Sequence, residues 1–323
     1  MSGKILITPR SLTKSGHPAL KRIEAAGYEI VFSAAGRQPS EAELLQLVPG
    51  CVGWLAGVEP ISARVLEAAT DLKAISRNGT GVDAIDLDAA QRLGIVVLRA
   101  DGANAAGVAE LTLGLILALA RAIPISDAKL KQGIWERVEG FEIHGKTLGL
   151  VGCGQIGHRV AQMALQLGLK VLAYDPIPSQ QEGVQRVTLN EVFSAADIIS
   201  LHCPPLPDRK PLIDGAALQH MKRGVYLVNS ARAELLDDAA VLDALQSGQL
   251  AGLALDAYRA EPPGKTALLA HPRVIATPHI GAYTRESVTR AVEAAVDNLL
   301  EHLTSDEQIT TKTQRTQRLT KKN

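Results

Sequence analysis

The stretch Thr147-Leu-Gly-Leu-Val-Gly-Cys-Gly-Gln-Ile-Gly157 decides the fold. Its opening, Thr147–Gly152, is an apolar run of strand length. Gly152, Gly154 and Gly157 then fall in the spacing G-x-G-x-x-G, and His158–Leu167 continues in a helical pattern. A strand, a glycine turn and a helix in that order bring free backbone N–H groups and the positive end of a helix dipole to one point, where a pyrophosphate binds. Gly152 permits the tight turn, Gly154 lets the backbone approach phosphate, and Gly157 lets the helix lie close to the sheet. The next strand, Lys170–Asp175, ends about 20 residues further on at Asp175, the spacing at which a carboxylate bonds the adenosine ribose hydroxyls. That carboxylate would repel the 2′-phosphate of NADP, and Pro176-Ile177-Pro178 offers no arginine in compensation. The expected cofactor is NAD.

Outward from this stretch, strand-like runs alternate with Ala/Leu-rich helical segments. The runs Lys4–Thr8, Tyr28–Phe32, Cys51–Leu55, Lys73–Arg77 and Ile95–Arg99 form one series. Thr147–Gly152, Lys170–Asp175, Asp197–His202, Val225–Ser230, Gly252–Ala257 and Val274–Thr277 form a second. Regular alternation implies parallel sheets with right-handed crossovers, and two series imply an α/β chain with two doubly wound units. Ala103–Ile123 reads as one long bridging helix, and Glu286–Leu303 as a last helix that can return to the first unit. After Thr304 the chain is polar, and 305–323 reads as a disordered tail.

Composition narrows the functional classes. The chain has 323 residues, enough for two domains, with 46% hydrophobic and only 3% aromatic residues. Lys+Arg and Asp+Glu both number 34, so the formal net charge is zero. That balance gives no electrostatic reason to expect nucleic acid or an anionic membrane surface as a partner. Cys51, Cys153 and Cys203 are far apart and form no C-x-x-C, so neither a disulfide framework nor a metal site is expected. The apolar run Leu111–Ala120 is too short to span a bilayer, and the N-terminus has no signal-peptide pattern, so a cytoplasmic, reducing location is expected.

Three polar residues follow strands of the second series. Arg232 lies beyond Val225–Ser230, Glu261 beyond Gly252–Ala257, and His279 beyond Val274–Thr277. Ligands of open α/β sheets gather at such carboxyl ends. Reduction of a 2-keto acid needs a cation for the carboxylate and carbonyl, a proton donor, and a carboxylate to keep that donor charged. Arg232, His279 and Glu261 match those needs in turn. His202, beside Cys203, is read as a structural histidine.

With these residues in view, the chain resembles the D-isomer-specific 2-hydroxyacid dehydrogenases, in the branch that contains 3-phosphoglycerate dehydrogenase. The resemblance spans about residues 4–303. It rests on Asn-Gly-Thr-Gly-Val-Asp (78–83), Val-Ala-Glu-Leu-Thr (108–112), the glycine motif, Asn-Ser-Ala-Arg (229–232), Leu-Asp-Ala-Tyr-Arg-Ala-Glu-Pro (255–262) and Thr-Pro-His-Ile-Gly-Ala (277–282). It implies a Rossmann NAD domain, 102–283, inserted in a flavodoxin-like substrate domain made of 1–101 and 284–304, with the active site in the cleft between them. It implies that Arg232 binds the substrate, that His279 is the proton donor, and that Glu261 pairs with His279. Gln155, Ile156, Cys203, Ser230 and Asp256 match cofactor-contacting positions beside Gly152, Gly154, Gly157 and Asp175. Arg77, Thr80 and Gly81 match substrate contacts. Trp135 falls in the family's dimerisation segment, so a homodimer is implied.

Two departures bear on the substrate. Ala233 replaces a glycine common after the arginine. Ala56 stands where phosphoglycerate dehydrogenases carry an arginine for the substrate phosphate, and a methyl group binds no phosphate. The sequence also ends soon after its last core helix, so no serine-binding regulatory domain is expected. The implied reaction is hydride transfer between NAD(H) and a small D-2-hydroxy or 2-keto acid such as hydroxypyruvate or glyoxylate. The alternatives are D-3-phosphoglycerate dehydrogenase and, in another class, an NAD-sensing corepressor-like binding protein.

Overall fold

The computed structural model describes residues 3–177 and 180–320, and beyond 305 the last helix is described by its backbone alone. The chain divides into two compact units, Met1–Asn104 with Arg285–Asn323, and Ala105–Thr284.

The first unit runs β1 (Lys4–Ile7), α1 (Arg10–Ser15), a short 3-10 turn, α2 (Lys21–Ala25), β2 (Glu29–Phe32), α3 (Glu41–Leu47), β3 (Cys51–Ala56), α4 (Ala63–Ala68), β4 (Ala74–Arg77), α5 (Leu87–Arg92) and β5 (Val96–Arg99). The strands form one sheet in the order β2-β1-β3-β4-β5, and every pair is parallel. The helices start where side chains can take the orphan N–H groups of a first turn. Ser40 and Glu43 make a reciprocal capping box at α3, and Ser62 and Asp86 cap α4 and α5.

One face of this sheet packs Leu6, Trp54 and Ile75 against Leu44 of α3, Val65 and Leu66 of α4 and Ala89 of α5. The other face is completed from the far end of the chain. Val292, Ala295, Val296, Leu299 and Leu303 of the last helix (Arg285–Thr320) pack with Ile5, Ile7, Leu55 and Ala74. Gly53 leaves room for them: a Cβ there would lie 3.3 Å from Leu299 and 3.2 Å from Leu303. Each large aliphatic side chain so buried contributes roughly 1.5–3 kcal/mol. The last helix continues to Thr320, past the point where polar composition predicts a disordered tail. Only Ile309 and Leu319 are apolar beyond 305, so this extension lacks the composition of a core helix. Residues 321–323 lie outside the described residues.

The second unit runs α6 (Ala105–Ala120), α7 (Ile123–Lys131), β6 (Thr147–Val151), α8 (Gln155–Gln166), β7 (Lys170–Tyr174), β8 (Val184–Arg186), α9 (Leu189–Ala195), β9 (Ile198–Leu201), α10 (Gly215–His220), β10 (Val225–Asn229), α11 (Asp238–Ser247), β11 (Leu250–Leu255) and β12 (Val274–Ala276). The sheet order is β12-β11-β10-β9-β6-β7-β8, all parallel. From β6 the chain winds outward to β8, then restarts at β9 on the other side. Residues of α9, α10 and α11 cover one face and those of α6 and α8 the other, which is why the strands read as nearly continuous apolar runs.

The expected single helix Ala103–Ile123 is two helices bent by 64°. Ala122 takes a left-handed conformation, φ 48°, and Pro124 opens α7 without an N–H to continue α6. Among the described residues no single helix is long and apolar enough to cross a membrane, and no cluster of His, Cys, Asp and Glu could hold a metal ion.

Candidate active site

The glycine turn sits at the switch point between β6 and β9, where a doubly wound sheet opens a crevice at its carboxyl end. Gly152 has φ +95°, and a Cβ there would lie 2.5 Å from the carbonyl oxygen of His202, at the end of β9. A Cβ on Gly157 would lie 2.3 Å from the Gly152 oxygen. Both glycines are therefore compelled by backbone packing. Gly154 differs: a Cβ there would meet nothing within 4 Å, so the position borders open space.

Gly154 also caps α8 without any side-chain hydrogen bond to the first turn, which leaves the N–H groups at Gln155 and Ile156 facing outward. Asp175, one residue past β7, ties the turn together. Its carboxylate accepts from the Cys153 N–H at 2.6 Å and the Ile177 N–H at 2.8 Å. Asp175, Cys153, Gly154 and Gln155 line a cavity of about 740 Å³ with Arg159 and Gln181. The space beyond Gly154, the uncapped helix start and the carboxylate at the cavity wall fit a dinucleotide. Pro178 lies outside the described residues.

Cys203 and His202 follow β9. Burial pushes the Cys203 thiol up to about 11, so it stays protonated near neutral pH and is no nucleophile. Burial likewise pushes the His202 imidazole down to about 4, and its Nε2 lies 2.9 Å from the Ser200 hydroxyl. His202 is accordingly a neutral, packed side chain.

The carboxyl ends of the adjacent strands β10, β11 and β12 carry the remaining groups. Asn229, fully buried at the end of β10, shapes the turn into Arg232. Its amide donates to the Arg232 carbonyl at 2.8 Å and its oxygen accepts from the Ala231 N–H at 3.1 Å. Arg232 Nη1 donates to the Ala231 carbonyl at 2.8 Å. Between them the Ser230 hydroxyl meets Thr112 of α6 at 2.9 Å, and Thr112 donates to the Val108 carbonyl.

His279 Nδ1 is paired with a carboxylate oxygen of Glu261. With that nitrogen engaged, Nε2 is the atom left to face a reactant. His279 itself has φ +51°, uncommon for a residue with a side chain. Asp256, 1% exposed, holds the turn in that shape. Its Oδ1 accepts from the Thr277 hydroxyl at 2.6 Å and the Ile280 N–H at 2.8 Å, and its Oδ2 from the Gly281 N–H at 2.8 Å. The resemblance implies a cofactor contact for Asp256; in the structure both its oxygens clamp the histidine's turn.

Arg77, Thr80 and Gly81 lie in the first unit. Arg77 ends β4, in register with Ala56 of β3. Its guanidinium donates to the Asn78 carbonyl and crowds Gly79, where a Cβ would lie 3.0 Å from Nη1. Thr80 Oγ1 donates to Asn104 at 3.3 Å. The β1 and β3 ends are stitched by a buried polar set that sequence reasoning passed over. Trp54 Nε1 donates to Thr8 Oγ1 at 2.9 Å, while Thr8 Oγ1 and the Gly57 N–H donate to the Glu59 carboxylate, which is 2% exposed. Ala56, at the end of β3, is fully buried.

Comparison with known proteins agrees with this geometry. Residues 113–281 match the family model of the D-isomer specific 2-hydroxyacid dehydrogenase NAD-binding domain. The chain is 40% identical over 268 residues to a hydroxypyruvate reductase of Thermotoga maritima, covering 81% of this chain and 88% of that one. It is 43% identical over 261 residues to the D-3-phosphoglycerate dehydrogenase of Pongo abelii, covering 79% of this chain and 49% of that one. The chain thus spans about half the length of the first curated relatives it matches. Among solved structures, a glyoxylate reductase from Paecilomyes thermophila superposes with a TM-score of 0.85 at 25% identity, covering 92% of this chain and 94% of that one. A doubly wound sheet with a glycine turn and an acidic strand end defines a nucleotide-dependent α/β protein. Within that class, the chain belongs to the D-isomer-specific 2-hydroxyacid dehydrogenases, and its second unit holds the family's NAD-binding domain.

Proposed function

We propose that this protein interconverts a small, unphosphorylated D-2-hydroxy acid and its 2-keto acid. The observation that carries the reading is the His279–Glu261 pair, on a turn that Asp256 clamps. NAD, when bound, supplies the hydride chemistry, and Gly152, Gly154, Gln155, Ile156, Gly157, Asp175, Cys203, Ser230 and Asp256 are the residues proposed to hold it. His279 Nε2 delivers a proton to the carbonyl oxygen in reduction and removes it in oxidation. Glu261 keeps the opposite ring nitrogen engaged and orients the ring. Arg232 binds the carboxylate and polarises the carbonyl, its main chain held by Asn229. In the first unit, Arg77 and the backbone at Thr80 and Gly81 are the proposed substrate contacts.

The curated relatives named for 3-phosphoglycerate favour a phosphorylated substrate. Ala56, whose methyl group binds no phosphate, favours hydroxypyruvate, glyoxylate or another short 2-keto acid. A homodimer is proposed on the surface of α7 and the segment after it. That helix has no buried residue, and Ile123, Leu130, Ile134 and Trp135 are exposed at 53%, 59%, 45% and 80%. The three free cysteines suit the reducing cytoplasm.

The test is NADH consumption across a panel of 2-keto acids that includes 3-phosphohydroxypyruvate. Turnover with the short acids, lost in His279→Ala while NADH still binds, is the expected result. Full activity in His279→Ala removes its assigned role. A kcat/KM highest for the phosphorylated acid overturns the substrate reading.

A further inference from the structure

The loop that carries Glu261 is held by its side chains. Among the described residues, no backbone–backbone hydrogen bond reaches 257–265, and Arg259, Ala260 and Glu261 are exposed. A surface loop with so few ties keeps one geometry only where its side chains are anchored. Two consecutive residues supply anchors. The loop leaves the end of β11, which lies between β12 and β10 in the sheet. Tyr258 reaches to the β12 side. Its hydroxyl donates at 2.7 Å to the Thr277 carbonyl, the same oxygen that accepts from the His279 N–H at 2.8 Å. Burial first, and then the Asp256 and Glu261 carboxylates, push the Tyr258 phenol above its ordinary value, so it remains a donor. Arg259 reaches to the β10 side. Its guanidinium donates at 2.6 Å to the carbonyl of Leu236, a buried residue. The Leu236 N–H in turn closes the 3-10 turn Ala233–Leu235 that starts at Arg232. The Arg259–Asp238 ion pair is 3.9 Å apart with both side chains more than half exposed, and such pairs contribute little. The charge-assisted bond to Leu236 is the anchor.

We propose that Arg259 is a positioning residue that, through its bond to the Leu236 carbonyl, holds Glu261 against His279. The proposal rests on the reading of His279 as the proton donor. Tyr258 is bonded to the His279 turn itself and follows it. Arg259 ties the loop to a different strand end, the one that carries Arg232. The orienting carboxylate and the substrate cation thereby share one frame. Rate is steep in the placement of reacting groups, where a shift of about 1 Å can cost about a hundredfold. Loss of the Arg259 bond frees the loop and leaves the reacting groups in place, so its effect is smaller than that of removing Glu261.

The experiment reads the His279–Glu261 bond directly, with turnover beside it. In the full chain, an imidazole N–H proton held by a carboxylate resonates far downfield in the NMR spectrum, and its loss in Glu261→Ala assigns it. Arg259→Met keeps an unbranched stem without the donor. It is expected to broaden or remove that resonance while calorimetric affinity for ADP-ribose, the cofactor without its nicotinamide, stays unchanged. In the same variant kcat falls about five- to tenfold, the worth of one hydrogen bond, with KM for the 2-keto acid within about twofold. Arg259→Lys, which still donates to Leu236, restores both the resonance and kcat. In the Glu261→Ala background Arg259→Met lowers kcat no further, because both act through one carboxylate. An unchanged resonance in Arg259→Met overturns the proposal. So does a raised KM at unchanged kcat, which places the action of Arg259 on the Arg232 turn. A kcat loss of the same size in the Glu261→Ala background overturns it as well, as does absence of the resonance from the unmodified protein. If the resonance responds as expected but no 2-keto acid is turned over, the positioning stands and the reading of the reaction is what has failed.

Discussion

Asp256→Asn tests whether one buried side chain holds the proposed proton donor in place. Asp256 is 1% exposed, and its two oxygens accept from the Thr277 hydroxyl, the Ile280 N–H and the Gly281 N–H. Asparagine keeps only one of those oxygens. In its better orientation the oxygen stays on Thr277 and Ile280, and the new NH2 faces the Gly281 N–H, donor against donor. One charge-assisted hydrogen bond, worth roughly 1.5–3 kcal/mol, is lost, and the two that remain fall to neutral strength. The expected destabilisation is about 3 kcal/mol, a factor of about 100 in the folding equilibrium. Urea unfolding reads it as a lowered midpoint at unchanged slope. Because the released Gly281 N–H belongs to the turn that carries His279, kcat should also fall by about tenfold while ADP-ribose affinity holds. Thr277→Val alone should cost about 1 kcal/mol, and less in the Asp256→Asn background, where the bond it removes has already fallen to neutral strength. Stability within about 0.5 kcal/mol of the unmodified protein would refute the clamp. A full stability loss with kcat untouched would separate the clamp from catalysis.

Two further perturbations follow from the same geometry. The His202 imidazole titrates near 6.5 when unfolded and about 4 when folded, so between those values the unfolded chain binds the extra proton. Its contribution is fully present above about 6.5 and is lost as pH falls toward 4, by up to about 1.4 kcal/mol per pH unit. His202→Asn should flatten urea midpoints measured from pH 7 to 5, and an unaltered slope would contradict the assignment. Gly157→Ala puts a methyl 2.3 Å from the Gly152 carbonyl oxygen, so α8 must back away from the turn. Overpacking of this kind costs about 1–3 kcal/mol, and ADP-ribose binding by calorimetry should be lost with it; retained affinity would show that the turn tolerates the shift.

Most of the architecture was legible because a parallel sheet covered on both faces writes its strands as apolar runs. The strand missed lies at an edge of the second sheet. β8 is a three-residue edge strand whose Gln185 and Arg186 are exposed, so no apolar run marks it. α1 escaped notice because Leu12 is its sole buried residue. The break between α6 and α7 turns on Ala122, a residue type that gives no warning of a left-handed conformation. At the candidate site, Gly152, Asp175, Arg232 and His279 stood out because loops at strand ends demand particular residue types. Asn229, Thr112, Thr8 and Glu59 did not, since their roles consist of contacts with residues far away in sequence.

The return of the last helix to the first sheet imposes an order on folding during synthesis. Ile5, Ile7, Leu55 and Ala74 leave the ribosome early, yet the residues that cover them, Val292 to Leu303, come almost last. In between lie about 180 residues of the second unit, Ala105–Thr284. At about 5–20 residues per second, the apolar face of β1 and β3 waits for roughly 10–40 s with only Leu12, Ala19, Leu20 and Ile23 packed beside it. The second unit, contiguous in sequence, can close its core during that interval. The first half of the chain therefore passes through a sticky half-folded stage on every round of synthesis, and any truncation before Val292 would make that stage permanent.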